Sequence, residues 1–245
     1  RLGWALLDGL LIISGAFGVF RRDRVLEAGG YMTGKGRYRK DTVGEDMELV
    51  VRLVRQERDA GRRGRVDYCY NANCWTEVPE DGRTLYRQRD RWHRGLIEVL
   101  LHHRPMALNP RYGASGMLSM PYFYAFELAG PWLELSGSNV LVFSLLVGMV
   151  DPLVSLTVFG IAVCFGVLVS LSSILLAERQ VLYFRPKEFF GVTALAIVEN
   201  FGFRQLMSMS RAWAFLQFFY KDKGWQKADR KGFMPKGAGD GSPGA

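Results

Sequence analysis

Apolar positions are spread unevenly along the 245 residues. From Tyr112 to Glu178 no lysine or arginine occurs, and only Glu127, Glu134 and Asp151 interrupt the apolar run before Glu178. About 20 mostly apolar residues suffice to cross a bilayer as a helix, so this stretch predicts an integral membrane protein. Two crossings are expected. One runs from roughly 116 to 150, kinked near Gly130-Pro131, and the other from roughly 153 to 177. Asp151-Pro152 separates them, because proline disfavours helix at the residue before it; three shorter spans would leave little room for turns.

Before this stretch the periodicity changes repeatedly. LLIISGAFGVF (10–20) is a β-rich apolar run followed by small residues, which predicts a buried strand and a tight loop. RRDRVLEAGGY predicts a short helix closed by Gly29-Gly30, and MTGKGRYRK a basic, glycine-rich loop. In TVGEDMELVVRLVRQ, Thr42 stands three residues before Glu45, the capping-box spacing, ahead of a helix with one apolar face. GRVDYCYNANCWTEVPED alternates at Val66, Tyr68 and Tyr70, as a strand leading into a loop would. From Arg83 to His103, Leu85, Trp92, Leu96, Val99 and Leu100 fall at helical intervals among arginines, the pattern of an amphipathic helix at a membrane surface. The alternation is that of half of an α/β domain.

Beyond the apolar run, RQVLYFRPKE (179–188) and KDKGWQKADRKGFMPK (221–236) are basic, which by the positive-inside tendency places both in the cytoplasm. Between them, residues 189–220 carry Glu199, Asn200, Arg204 and Gln205 at their centre, so an interfacial or re-entrant helix pair is expected rather than a crossing. The expected organisation is residues 1–82, part of a folded domain; 83–112, the amphipathic helix; 113–178, the membrane region; 179–220, a cytoplasmic loop with interfacial helices; and 221–245, a basic tail.

Composition sharpens this picture only in places. The net charge of +8 would suit any basic globular protein. Cys69, Cys74 and Cys164 form no CxxC pair, and with only three histidines beside them no Cys/His metal site is expected. No nucleic-acid partner is expected. The chain opens at RLGWALLDGL, inside what reads as a folded unit, so a fragment is expected.

Candidate chemistry concentrates in two places. In LYRQRDRWHRG, Gln88, Arg91 and Trp92 share a helix face, with Arg89 at its edge. Guanidinium forks match phosphate oxygens, and an indole offers apolar area to a sugar ring. A helix with arginines on anionic lipid and Trp92 at the headgroups explains the same residues. In GED, Glu45 and Asp46 lie at a helix N-terminus, where the dipole favours ionised carboxylates; Asp46 could accept a hydroxyl proton or simply cap. SGAFG (14–18) is a turn of little bulk that lets a ligand approach Ser14 and Gly15. Glu127 and Glu134 lie seven apart on one helix face, and carboxylates there are costly unless they face protein or a polar pathway.

The order SGAFGVFRRD, GED, CWTEVPE, QRDRW and then membrane segments resembles the membrane-bound inverting family-2 glycosyltransferases, relatives of the cellulose, chitin, hyaluronan and poly-N-acetylglucosamine synthases. QRDRW matches that family's Q-x-x-R-W, and GED its T-E-D/G-D-D element, with Gly44 in place of the frequent threonine. The resemblance implies an α/β fold class, the C-terminal part of a GT-A-like catalytic domain. Asp46 would be the general base, with Glu45, Gln88, Arg89, Arg91, Trp92, Ser14, Gly15, Thr76 and Glu77 binding substrate. It implies a nucleotide-sugar donor, a glycan or lipid-linked acceptor, and Mg2+ or Mn2+. No D-x-D occurs in these residues; the metal ligands and nucleotide-binding strands are expected upstream of Arg1, and this stretch alone is expected to transfer no sugar. A multi-pass cell-membrane location with a cytoplasmic catalytic domain is implied. The alternative is a catalytically inactive membrane subunit for polysaccharide binding or export.

Overall fold

The computed structural model describes residues 1–13, 15, 17–32, 42–69, 72, 74, 76–180 and 185–220. Ser14, Tyr70, the loop at 33–40 and the basic tail at 221–245 lie outside the described residues.

Nine helices appear among the described residues. They are α1 (Leu2–Leu6), α2 (Arg22–Glu27), α3 (Glu45–Asp59), α4 (Gly82–His102), α5 (Met120–Tyr122), α6 (Gly130–Leu146), α7 (Pro152–Gln180), α8 (Pro186–Val198) and α9 (Phe203–Phe218). The expected short helix is α2, closed by Gly29 and Gly30 at φ of 82° and 76°, where a side chain would be strained. The two expected strands do not form among the described residues: residues 10–13 and 65–69 are irregular, and Phe17 makes only an isolated bridge. Alternation selects an extended conformation, but a strand exists only through its ladder to a neighbour.

The core joins Met47, Val51 and Val54 of α3 to Leu96, Val99 and Leu100 of α4, with Leu11, Met106, Tyr112, Met120 and Phe123 closing it. The spacing i, i+4, i+7 on α3 is the apolar stripe expected of it. Arg52 on its other side pairs with the buried Glu48 at 2.9 Å and donates to the carbonyls of Ala28 and Gly30, which ties α2 to α3. The capping box does not form. α3 starts at Glu45 with Gly44 as N-cap, which leaves Thr42 two residues out of register; its hydroxyl donates instead to Glu98 of α4 at 2.7 Å. α4 starts where Asp81 accepts from the Thr84 N–H and hydroxyl, both at 2.8 Å, satisfying a helix-end donor.

The expected first crossing is not a single helix. Ser115–Ser119 and Phe123–Leu128 are π-helical turns on either side of α5, and α6 starts only at Gly130. Pro121 lacks an N–H and crowds the carbonyl four residues back, and the wider turns accommodate it. One side of this half is packed on protein, where Ser115 donates to Asp8 O at 3.1 Å, Ser119 to Gly9 O at 2.6 Å, and Tyr124 to Leu100 O at 2.6 Å, while Met117, Leu118 and Phe126 are exposed. The break at Gly130-Pro131 lies where the sequence puts the kink, and α6 at 17 residues is shorter than the ~20 a bilayer asks for. Among the described helices only α7, over Pro152–Leu176, is long and apolar enough to cross a membrane.

The region expected as an interfacial helix pair is the hairpin α8–α9, turned at Gly202 with φ 95°. Asn200 of the turn is buried against Gly166 of α7, where a Cβ would collide with its side chain, and Ser170 donates to Glu199 at 2.8 Å. α9 packs on α4 and α6.

Candidate active site

Two glycines bring the chemical segments together. A Cβ on Gly95 would stand 2.8 Å from Gly44 Cα and 2.9 Å from Gly44 N, so α4 meets the N-terminus of α3 backbone to backbone. Gln88, Arg91 and Trp92 precede Gly95 by seven, four and three residues, hence lie on its face of α4. Glu98, three residues beyond, accepts from Thr42 at 2.7 Å and from Val43 N at 3.2 Å, anchoring the loop before GED. The contact sets the Glu45-Asp46 turn beside the face that carries Q-x-x-R-W. Gly95, Glu98 and His93 were not singled out for the site by the sequence. A glycine inside a helix costs about 1 kcal/mol against alanine, and that cost was the available signal for Gly95.

Asp46 is half-buried. Its Oδ1 accepts from Met47 N at 2.8 Å, and its Oδ2 faces Gly15, whose Cβ, if present, would stand 2.6 Å away. The expected low-bulk turn therefore lies directly against the candidate base. Gly15 gives Asp46 the space that a side chain would fill. Glu45 is half-buried next to it, in the first turn where acidic groups favour the helix.

On α4, the Arg89 guanidinium lies over the Trp92 ring at 5.0 Å, and Trp92 is 51% exposed, so the indole is accessible from solvent. Gln88 and Arg91 are half-buried. Arg89 is held below the usual arginine range by burial and then by the charge of Arg211 on α9. His93, one turn on, is pushed down to about 4 by burial and again by Arg211. It is neutral at physiological pH. Arg211 is fixed by Glu127, donating to its carbonyl at 2.6 Å and its carboxylate at 2.9 Å. Glu134 accepts from Arg204 at 3.2 Å and Ser208 at 2.7 Å. The two carboxylates, expected on one helix face, come from the π-helical turn and from α6 and meet α9 residues spaced i, i+4, i+7.

Thr76 and Glu77 lie on exposed irregular chain, and among the described residues no hydrogen bond joins them to Asp46 or Trp92. Ser14 lies outside the described residues.

One group, Glu48, His102 and His103, brings possible metal-ligand atoms within 4.8 Å of one another. It does not fit Mg2+ or Mn2+. Both Glu48 oxygens accept from Arg52, the other donors are imidazoles, and hard cations take oxygen ligands. Burial opposes the charge of Glu48, but His103 and Arg52 hold its carboxyl below the usual range.

Residues 3–176 match the family described as glycosyl transferase family group 2. The match takes in α3, α4 and the apolar part of α7. Among curated proteins and solved structures nothing matches.

Proposed function

We propose, on the premise that this chain belongs to glycosyl transferase family group 2, that it moves a sugar from a nucleotide-sugar donor to a glycan or lipid-linked acceptor at a membrane, with inversion. The observation that supports this reading is the Gly44–Gly95 backbone contact between the start of α3 and α4. The acceptor hydroxyl attacks the anomeric carbon from the side opposite the diphosphate. One C–O bond forms as the other breaks, so the anomeric configuration inverts. Asp46 takes the hydroxyl proton, Glu45 shapes the turn, and Gln88, Arg89 and Arg91 hold the leaving diphosphate, where fixed positive charge is worth most as negative charge develops. Trp92 offers its exposed indole to the acceptor sugar.

Mg2+ or Mn2+ supplies further charge on a leaving diphosphate in reactions of this kind, and its ligands are assigned to none of the described residues. α7 is read as a crossing, with the catalytic segment, the α8–α9 hairpin and the C-terminus on the cytoplasmic side of the cell membrane; further crossings belong to the same reading. Thr76 and Glu77 are kept as acceptor-side residues on the strength of the family resemblance.

The test is nucleotide release by the protein in native-like membranes over a panel of UDP- and GDP-sugars with Mg2+ or Mn2+, beside Asp46→Asn. The expected result is release with one donor, reduced about 10²-fold or more in the variant. Release that persists in Asp46→Asn removes Asp46 from its role, and no release with any donor favours the inactive membrane subunit.

A further inference from the structure

The turn between α8 and α9 meets α7 at its middle. Gly166 packs so closely on Asn200 of the turn that a Cβ would collide with its side chain. That glycine lies fourteen residues after Pro152 and fourteen before Gln180, about 21 Å from either end of α7. Ser170, one turn on, donates to Glu199 at 2.8 Å. α8 therefore runs back along the second half of α7, and α9 leads away again. On the other flank, Arg204 and Ser208 donate to Glu134 of α6 at 3.2 and 2.7 Å. α6 continues to Leu146, twelve residues beyond Glu134, or about 18 Å. Both neighbours thus extend well past the tip, exposing Phe143, Leu146, Leu153 and Phe159. A helix lying in the interface sinks only about 5–10 Å, too little to reach the middle of a crossing helix.

The tip is built for that depth. The N–H groups of Glu199, Asn200 and Phe201 donate to Leu195, Ile197 and Val198 O, that of Gly202 to Gln205 Oε1 at 2.8 Å, and that of Arg204 to Glu199 O at 2.9 Å. Backbone at hydrocarbon depth has to be satisfied within the protein. Glu199 and Arg204 are exposed, and charge there is costly unless paired; Glu199 takes the Ser170 hydroxyl and Arg204 the Glu134 carboxylate, so each is tied to a neighbouring helix. Val198, Phe201 and Phe203 are exposed beside them. Trp213 is exposed eleven residues beyond Gly202, about 16 Å back along α9. A hydrocarbon core of about 30 Å ends at that distance from its middle, and tryptophan is enriched there. Lys187 and Glu188 stand at the far end of α8.

We propose that α8–α9 is a re-entrant hairpin that enters the bilayer from the side of α4, turns near the middle at Gly202, and presents Phe201 and Phe203 to lipid acyl chains. The proposal rests on α7 as a crossing and not on sugar transfer. Both ends of the hairpin stay on the cytoplasmic side, and the tip does not.

The experiment measures the depth of nitroxide labels in the whole protein, reconstituted in phosphatidylcholine vesicles with Cys69 and Cys74 replaced by serine. Oxygen, which partitions into hydrocarbon, and an aqueous nickel chelate are the two relaxation probes. A label on the native Cys164, exposed and two residues from Gly166, marks the middle of α7, and one on Tyr220→Cys marks the end of the hairpin. Phe201→Cys, with Cys164→Ser, is expected within about one helical turn of the Cys164 depth and about 20 Å deeper than Tyr220→Cys. Phe203→Cys gives a second reading if the first variant does not fold. A deep Cys164 with both phenylalanine positions at the depth of Tyr220 overturns the re-entrant hairpin and leaves the crossing standing. Cys164 at the surface overturns the crossing and the hairpin with it. Labels at both phenylalanine positions that are shielded from oxygen and nickel alike put protein, a second copy or another chain, on the tip and overturn the contact with acyl chains. None of these outcomes depends on nucleotide release, so the transferase reading stands or falls separately.

Discussion

α4 meets α3 on one side and α9 on the other, and it does so by opposite means. Toward the start of α3 side chains are absent, and Gly95 and Gly44 touch through their backbones, while beyond it Met47, Val51 and Val54 pack on Leu96, Val99 and Leu100. Toward α9 the partner buries small residues, Ser208, Ser210, Ala212 and Ala214, and the charge of Arg211 acts on Arg89 and His93. The first contact fixes position and tolerates no added volume. The second sets charge beside a buried histidine and responds to pH. Asp46 stands on the rigid side, with Gln88, Arg91 and Trp92 on the same face of α4 as Gly95.

Adding volume to the rigid side is the strongest way to break the contrast. Gly95→Leu places four carbons where even a Cβ stands 2.8 Å from Gly44 Cα, and overpacking at backbone contacts of this kind costs about 3 kcal/mol. Thermal unfolding in detergent is expected to show that loss, and nucleotide release should fall further than stability explains, because α4 moves away from Asp46. Across the helix, the nearly isosteric His93→Gln should leave the neutral-pH midpoint nearly unmoved.

Acid should act on the responsive side instead. His93 is held down to about 4, by burial first and by Arg211 second, so the unfolded chain takes up a proton near 6.5 that the folded one refuses. Its contribution is therefore complete above about pH 6.5 and is lost as pH falls toward 4. Between pH 7 and about pH 4.5 this amounts to roughly 2 kcal/mol. His93→Gln should flatten the stability profile in that window by a comparable amount. His103, buried beside Glu48 and also lowered mainly by burial, leaves a residual slope of the same sign. A profile unchanged in His93→Gln would show that the α4–α9 contact does not hold this histidine neutral.

The smallest effect is expected at the edge of that contact. Arg204 and Glu134 are paired at 3.2 Å, but their side chains are 53% and 29% exposed. Solvent screening limits such a pair to about 0.5 kcal/mol. A double-mutant cycle with Arg204→Gln and Glu134→Gln should return a coupling of that size. A much larger value would move the anchoring of α9 from Glu127 to Glu134.

Much of the fold was legible along the chain. The i, i+4, i+7 spacing of Met47, Val51 and Val54 marked α3, the apolar interval from Leu96 to Leu100 marked α4, and the uncharged run of α7 marked a helix fit to cross a bilayer. Gly130-Pro131 gave the position of the break before α6. The strand expectations failed because alternation at Val66 and Tyr68 says nothing of a neighbour to pair with. Thr42 was misread for a similar reason: its spacing to Glu45 suits a cap, but Glu98, distant in sequence, takes its hydroxyl. Of the candidate site, Asp46, Gly15 and the Q-x-x-R-W face were marked by residue type and spacing, whereas Thr76 and Glu77 are not drawn to them.

The sequence by itself determined the helices, because a helix closes its hydrogen bonds within a few residues and its apolar period is written locally. It also determined the inventory of chemistry: one candidate base at a helix start, arginines around Trp92, and two carboxylates seven apart. The tertiary structure alone decided which of these meet. That Gly44 rests on Gly95, that Asp46 faces Gly15, and that Glu127 and Glu134 receive Arg211, Ser208 and Arg204 are matters of helix placement. Such contacts join residues far apart in the chain, and their geometry follows from how whole faces pack, which no local period encodes.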